Sequence, residues 1–206
     1  MTPTPTLTWR VFCAIELSAT ARELVLRYIA SLKRAVPDAR ASWARETNLH
    51  LTLKFLGDIP ETVVTDFSRA VSRAVAGVKS FPIRFEHTGV FPTHGQPRVL
   101  WIGTDDPDAK LAELYAKVEE ESALAGFAKE ARSFHPHLTI ARLRNPQPAR
   151  ALATAHKQMK FEPVEITVSE LLVIRSELSS EGSRYTVVSR HALDSFHPQI
   201  TQITQI

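Results

Sequence analysis

Two short stretches of the 206-residue chain set an imidazole and a hydroxyl two positions apart: His50-Leu51-Thr52-Leu53 and His137-Leu138-Thr139-Ile140. In an extended strand, residues i and i+2 project from the same side, so each stretch presents a histidine beside a threonine. An unperturbed imidazole, with a pKa near about 6.5, exists in both protonation forms around neutrality. Two such faces turned toward each other across a cleft would supply a proton acceptor, a proton donor and two hydroxyls. Hydrolysis of a phosphodiester needs that set: a base for water, an acid for the leaving oxygen, and donors for the non-bridging oxygens. Each positioned proton transfer is worth roughly 10²–10⁴ in rate. The two histidines must differ in protonation, so their surroundings are expected to push their pKa values apart.

The strands that would carry these faces can be read from hydrophobic patterning. In 48–55, Leu49, Leu51, Leu53 and Phe55 alternate with Asn48, His50, Thr52 and Lys54, as a strand with one buried face requires. A one-residue slip would bury the histidines and expose the leucines, so His50 and Thr52 are expected on the open face. Before this strand, 10–17 reads as a strand, and Ser18 as the N-cap of a helix over 19–35. Gly57-Asp58 is expected to end the histidine strand and Pro60 to open a helix to about Gly77, followed by extended 81–91. The series then begins again. A strand over 99–103 precedes a helix opened by Asp106-Pro107 and reaching about Gly126; the second His-x-Thr strand spans 137–141; Pro146 leads a helix to about Met159. Residues 164–174 are extended, and 185–189 form a last strand.

The two His-x-Thr units lie 87 positions apart, and so do Gly95 and Gly182, each just ahead of a strand. One offset shared by two landmarks indicates a duplicated strand–helix unit and two similar α+β lobes. A lone His-x-Thr on a strand is commonplace. It is the recurrence at equivalent places that carries the inference. The Thr/Pro-rich stretch 1–8 and the low-complexity stretch 194–206 are expected to be flexible tails of a single domain over 9–193.

Composition narrows the field further. Lys and Arg number 25 against 22 Asp and Glu, an excess of 3 that favours a polyanionic partner only weakly. No basic segment followed by an apolar run marks a secretory signal, and no stretch approaches the roughly 18 apolar residues of a membrane span. The single Cys13 cannot form an internal disulfide, which fits a cytoplasmic location. Phosphate-loop patterns and the G-x-S-x-G nucleophile elbow do not occur. His135 and His137 could chelate a metal together, but a third ligand with matching spacing is missing, so no metal or other cofactor is expected. His87, His94, His156, His191 and His197 are expected as surface or capping residues without partners.

At these residues the sequence resembles the 2H phosphoesterase family, and within it the RNA 2′,3′-cyclic phosphodiesterases once called 2′-5′ RNA ligases. The resemblance runs over about 10–189 through RVFCAIEL, NLHLTLKFLGDI, PRVLWIG, HPHLTIAR and RSELSSEGSRYTV. Neither tetrad departs from the family's HxTx pattern. The resemblance implies a bilobal α+β fold, with two mainly antiparallel sheets facing a central cleft. It implies hydrolysis of a terminal RNA 2′,3′-cyclic phosphate to a 2′-phosphate without a metal, and a weaker 2′-5′ joining reaction in reverse. It further implies His50 as proton donor, His137 as proton acceptor, Thr52 and Thr139 as phosphate-oxygen donors, and Arg142 as a charge-assisted phosphate contact. Arg142 could equally belong with Arg144 to a solvated basic loop. A non-catalytic RNA-end or nucleotide-binding module, and a phosphodiesterase for a small cyclic nucleotide or a 2′-5′ linkage, are the other readings the tetrads allow. No membrane or protein partner is expected, and the chain is expected to be a monomer.

Overall fold

The computed structural model describes residues 7–144, 146–179 and 182–195. The first strand, β1 (Thr8–Glu16), is followed by helix α1 (Ala19–Ala35). Ser18 caps that helix as its sequence position promised, its side chain accepting from the backbone N–H of Ala21. Next come the short β2 (Ala41–Trp43), β3 (His50–Pro60), α2 (Val64–Val75), β4 (Phe81–Phe91) and β5 (Val99–Asp105). Helix α3 (Lys110–Leu124) opens where Asp106 accepts from the N–H groups of Leu111 and Ala112. The remainder is β6 (His137–Leu143), α4 (Pro146–Gln158), β7 (Val164–Val168), β8 (Glu170–Ser179) and β9 (Gly182–Ala192).

The fold is α+β, and its strands pair antiparallel in the order β7-β4-β5-β6-β3-β1-β8-β9, with β2 added beside β6. The two halves of this arrangement meet at a single register pair, Leu51 of β3 with Leu138 of β6. Both leucines are fully buried. Each withdraws apolar surface worth about 2 kcal/mol from water. Helices α2 and α3 pack together, α2 on β8 and β9 and α3 on β3; α1 and α4 pack together, α1 on β7 and α4 on β4. Thus α1 follows β1 in sequence yet covers the opposite half, and α3 follows β5 yet covers β3. The contiguous repeats seen in the sequence therefore interleave in space. Periodicity could not reveal this, because an apolar helix stripe reads the same whichever layer it covers.

Several boundaries differ from the sequence expectation. Gly57, at φ +73°, does not end β3, which runs on to Pro60. Two register shifts against β1 leave Leu53 and Leu56 as extra residues, and a bulge of this kind reverses which face the following side chains occupy. Lys54 is consequently buried and Phe55 is 49% exposed, the reverse of the expected alternation. The extended run 164–174 is broken at Ser169 into β7 and β8. β2 was not anticipated, and β9 is longer than its expected core of 185–189. The expected tails lie mostly outside the described residues. Where described they are tied down: Leu7 O accepts from Glu61 N, Thr8 opens β1, and Asp194 bridges to Lys79. Among the described residues, no helix is long and apolar enough to cross a membrane.

Burial of Lys54 creates an ion pair across the interior. Its ammonium donates to Glu119 of α3 at 2.7 Å and to Ala128 O at 2.8 Å, while Glu119 also accepts from Glu130 N at 2.8 Å. The pair clamps the loop after α3 onto the strand that carries His50. Lys54→Met strands a buried carboxylate, and denaturant unfolding is expected to register a loss of about 3–5 kcal/mol.

Candidate active site

The junction pair decides what the cleft contains. Leu51 and Leu138 face the core, so the residues on either side of each face the other way. Continuing the antiparallel register one step sets His50 opposite Thr139 and Thr52 opposite His137. The two histidines are then diagonal neighbours, which in a regular ladder stand about 7–8 Å apart. His50, Thr52, His137, Thr139 and Arg142 all line one cleft of about 770 Å³.

Each imidazole is held in the same way from two sides. His137 Nδ1 lies 2.7 Å from His135 O. A carbonyl can only accept, so Nδ1 carries the proton and Nε2 remains for the cleft. His50 likewise donates a ring N–H to the backbone carbonyl of Asn48, again the residue two before it. Asn48 also uses its side-chain amide to donate to Ser183 O of β9 at 3.0 Å, joining the first histidine's support to the last hairpin. The second constraint is aromatic. His50 stacks on Phe12 at 4.7 Å between centroids and meets the edge of Tyr185 at 5.3 Å. His137 meets Phe91 edge-on at 5.1 Å, with Trp101 at 6.3 Å.

These four aromatic residues escaped the sequence reading. The Trp101 indole rests where Gly89 and Gly103 leave room: a Cβ on Gly89 would lie 2.1 Å from the ring, and one on Gly103 2.9 Å. That notch exists only because β4 pairs β5 with Gly89 opposite Trp101. Beneath it lies His156, expected at the surface but in fact fully buried. Its Nε2 lies 3.1 Å from both Gly89 O and Trp101 O, so it donates to the two carbonyls. Nδ1 is then free to accept from the Tyr28 hydroxyl at 3.0 Å. A signal was available: Ala149, Leu152, Ala153 and His156 fall on one helical stripe. His191 also has partners, its Nε2 lying 2.8 Å from Ser189 Oγ, and His87 pairs with Glu86 at 3.2 Å. His197 lies outside the described residues.

The cleft is electropositive. Arg45, Arg142 and Arg144 line it, and among the described residues no Asp or Glu does. Part of the chain's positive charge therefore faces this opening. Arg142 belongs to the cleft and is more than a solvated loop residue: its charge acts on His50, His137 and Tyr185 alike. His50 is pushed down to about 4, chiefly by burial and then by Arg142, against the Asn48 carbonyl. His137 is lowered as well, by burial first, then by Arg142 and His135, against the His135 carbonyl. The two pKa values thus move the same way instead of being driven to opposite sides of neutrality. Both shifts favour the neutral rings near pH 7. His135 contributes its carbonyl to the arrangement. Among the described residues, no three His, Cys, Asp or Glu side chains group as a metal site would require.

Known proteins share this sequence and fold. Residues 20–179 match the model of the 2′-5′ RNA ligase superfamily. A protein of Methanothermobacter thermautotrophicus named RNA 2′,3′-cyclic phosphodiesterase is 34% identical over 178 residues, covering 86% of this chain and 95% of its own. One of the same name from Thermotoga maritima is 31% identical over 180 residues, covering 87% and 92%. The crystal structure of E. coli LigT complexed with 3′-AMP superposes with a TM-score of 0.72 at 26% identity, covering 91% of this chain and 99% of that one.

Because His50 is depressed, the native protein binds fewer protons than the unfolded chain between about pH 6.5 and 4, so stability should decline as pH falls through that window. An anion in the cleft favours the imidazolium. An NMR titration should therefore place His50 near 4 in the free protein and higher, together with His137, when inorganic phosphate is added. Gly89→Ala should displace the Trp101 indole, lowering thermal stability and perturbing the His137 resonances. By its matched model, its relatives and its paired His-x-Thr strands, the chain belongs to the 2′-5′ RNA ligase superfamily, the 2H phosphoesterases.

Proposed function

We propose that the protein hydrolyses the 2′,3′-cyclic phosphate at an RNA end to a 2′-phosphomonoester, using two histidines and no metal ion. The observation that carries this reading is one cleft lined by two imidazoles, two threonines and arginines. The names of the relatives in Methanothermobacter and Thermotoga support the choice of a cyclic phosphate on RNA. The backbone carbonyl of His135 holds the Nδ1 proton of His137 and leaves Nε2 to act as a base, which supports a proton-transfer role for this ring. The reaction is carried by one domain of two lobes, each lobe giving one His-x-Thr face, and we place it in the cytoplasm.

In this mechanism the cyclic phosphate enters between the histidines, and its negative charge raises the imidazole pKa values that burial and Arg142 had lowered. Thr52 and Thr139 donate to non-bridging oxygens, and Arg142 adds a charge-assisted bond. His137, its Nδ1 proton held by the His135 carbonyl, takes a proton from water through Nε2. The water oxygen forms a bond to phosphorus as the bond to O3′ breaks. His50 gives its proton to O3′, leaving the phosphate on O2′. A 5′-hydroxyl in place of that water would produce a 2′-5′ linkage. With no energy input and water in vast excess, joining is the weaker direction.

Incubation with an oligonucleotide ending in a 2′,3′-cyclic phosphate, in excess EDTA, should give the 2′-phosphate as product. His50→Ala and His137→Ala should each lower kcat by roughly 10²–10⁴. Loss of turnover on chelation, or turnover that survives the double substitution, would defeat the proposal. The kcat/KM profile reports the free protein. It should be bell-shaped with its maximum below pH 6.5, whereas the alkaline limb of kcat should lie higher because bound substrate raises the acid's pKa.

A further inference from the structure

We infer that the segment 128–134 is a positioning clamp for His137: Tyr115 and Glu119 of α3 and Lys54 of β3 hold the backbone that presents the His135 carbonyl to Nδ1. This rests on the function proposed above and deepens it, assigning Tyr115 and Phe134 as positioning residues for the proton acceptor.

Strand pairing does not reach this carbonyl. The β6 ladder begins at His137, which pairs with Gly103. Phe134, His135 and Pro136 precede it, and Pro136 has no N–H with which to extend the ladder. A proline also pushes the residue before it toward extended backbone, so the His135 carbonyl turns with the segment that carries it. The placement of that carbonyl, 2.7 Å from His137 Nδ1, is therefore decided upstream.

Three contacts fix the segment. Lys54 Nζ donates to Ala128 O at 2.8 Å, and Glu130 N donates to the Glu119 carboxylate at 2.8 Å. The Phe134 ring lies flat on Tyr115, with 4.0 Å between centroids and 5° between planes. Tyr115 and Glu119 stand one turn apart on α3 and so share a face. The stack bears most directly on the chemistry, because Phe134 is the residue immediately before His135. Lys54 lies two residues beyond Thr52, so the loop that orients the acceptor is anchored to the strand that carries the donor. A buried ion pair is often no more stabilising than apolar residues of similar volume, so the use of Lys54 and Glu119 here is to fix a geometry.

His50 is supported separately. Its carbonyl comes from Asn48, whose amide is bound to Ser183 O of β9. Loosening the clamp should therefore disturb one histidine and spare the other. Tyr115 and Phe134 are half-buried, and neither is among the buried core side chains, so truncating them spares the fold.

The test reads the NMR signals of the imidazole nitrogens at neutral pH, together with steady-state kinetics on a 2′,3′-cyclic mononucleotide. Tyr115→Ala and Phe134→Ala should each mix the Nε2–H tautomer into His137 and leave the His50 signals in place. Each should lower kcat by about tenfold with KM within twofold, because a ring protonated on Nε2 cannot act as the base. Tyr115→Phe keeps the stack and should behave as the wild type. Unchanged His137 signals in both alanine variants overturn the clamp, as do changes shared equally by His50 and His137 or a loss confined to KM. If neither variant folds, the wild type decides: His137 must be wholly the Nδ1–H tautomer and the Glu130 amide must exchange slowly, and failure of either overturns the clamp. A protein that passes the NMR arm yet turns over no cyclic phosphate would instead refute the proposed function itself.

Discussion

The arrangement depends on one contact between two buried leucines. Leu51 and Leu138 form the single register pair joining the two halves of the sheet. Because strand side chains alternate, burying this pair turns His50, Thr52, His137 and Thr139 to the opposite face. Moving either strand by one residue would put imidazoles into the core and leucines into the cleft, at a large desolvation cost. The apolar pairing and the juxtaposition of polar groups are thus one constraint seen from two sides. It explains how segments 87 positions apart in the chain reach one opening without a shared loop.

Electrostatics complete what the register begins. The histidines are packed against aromatic rings, beside an arginine, and among the described residues no carboxylate lines their cleft. Many catalytic histidines carry an acidic partner that stabilises the imidazolium. Here the corresponding ring nitrogens donate to backbone carbonyls, which orient the ring and fix the tautomer with no full negative charge. In the proposed reaction the substrate's own phosphate supplies the missing charge. Proton donation by His50 is thereby tied to occupancy of the cleft.

The interleaving of the halves gives this site rigid support. Each helix pair combines one helix from each repeat, and β8 and β9 return from the end of the chain to pair beside β1. Deep anchors lie directly behind the functional strands. Lys54 and Glu119 tie β3 to α3, and His156 ties α4 to the backbone under Trp101. Buried polar networks of this kind are costly unless every member is satisfied. In both networks the charged or polar head is matched by partners from another element.

Strand alternation and the doubled His-x-Thr pattern were enough to mark His50, Thr52, His137 and Thr139 and to orient them, because side-chain direction in a strand is a local property with a period of two. Ser18 as a helix cap and the α+β class were also readable locally. The resemblance drew attention to Arg142. The aromatic walls of Phe12, Phe91, Trp101 and Tyr185, the interior place of His156 and the reversed phase at Lys54 came only with the tertiary structure. Each depends on which strand lies beside which, and in what register. A bulge, a glycine notch or a helix that crosses to the other half changes those pairings without altering the periodicity of any single segment. The lowered pKa values of both histidines belong to the same class, since burial is a property of the assembled walls and not of the residues that titrate.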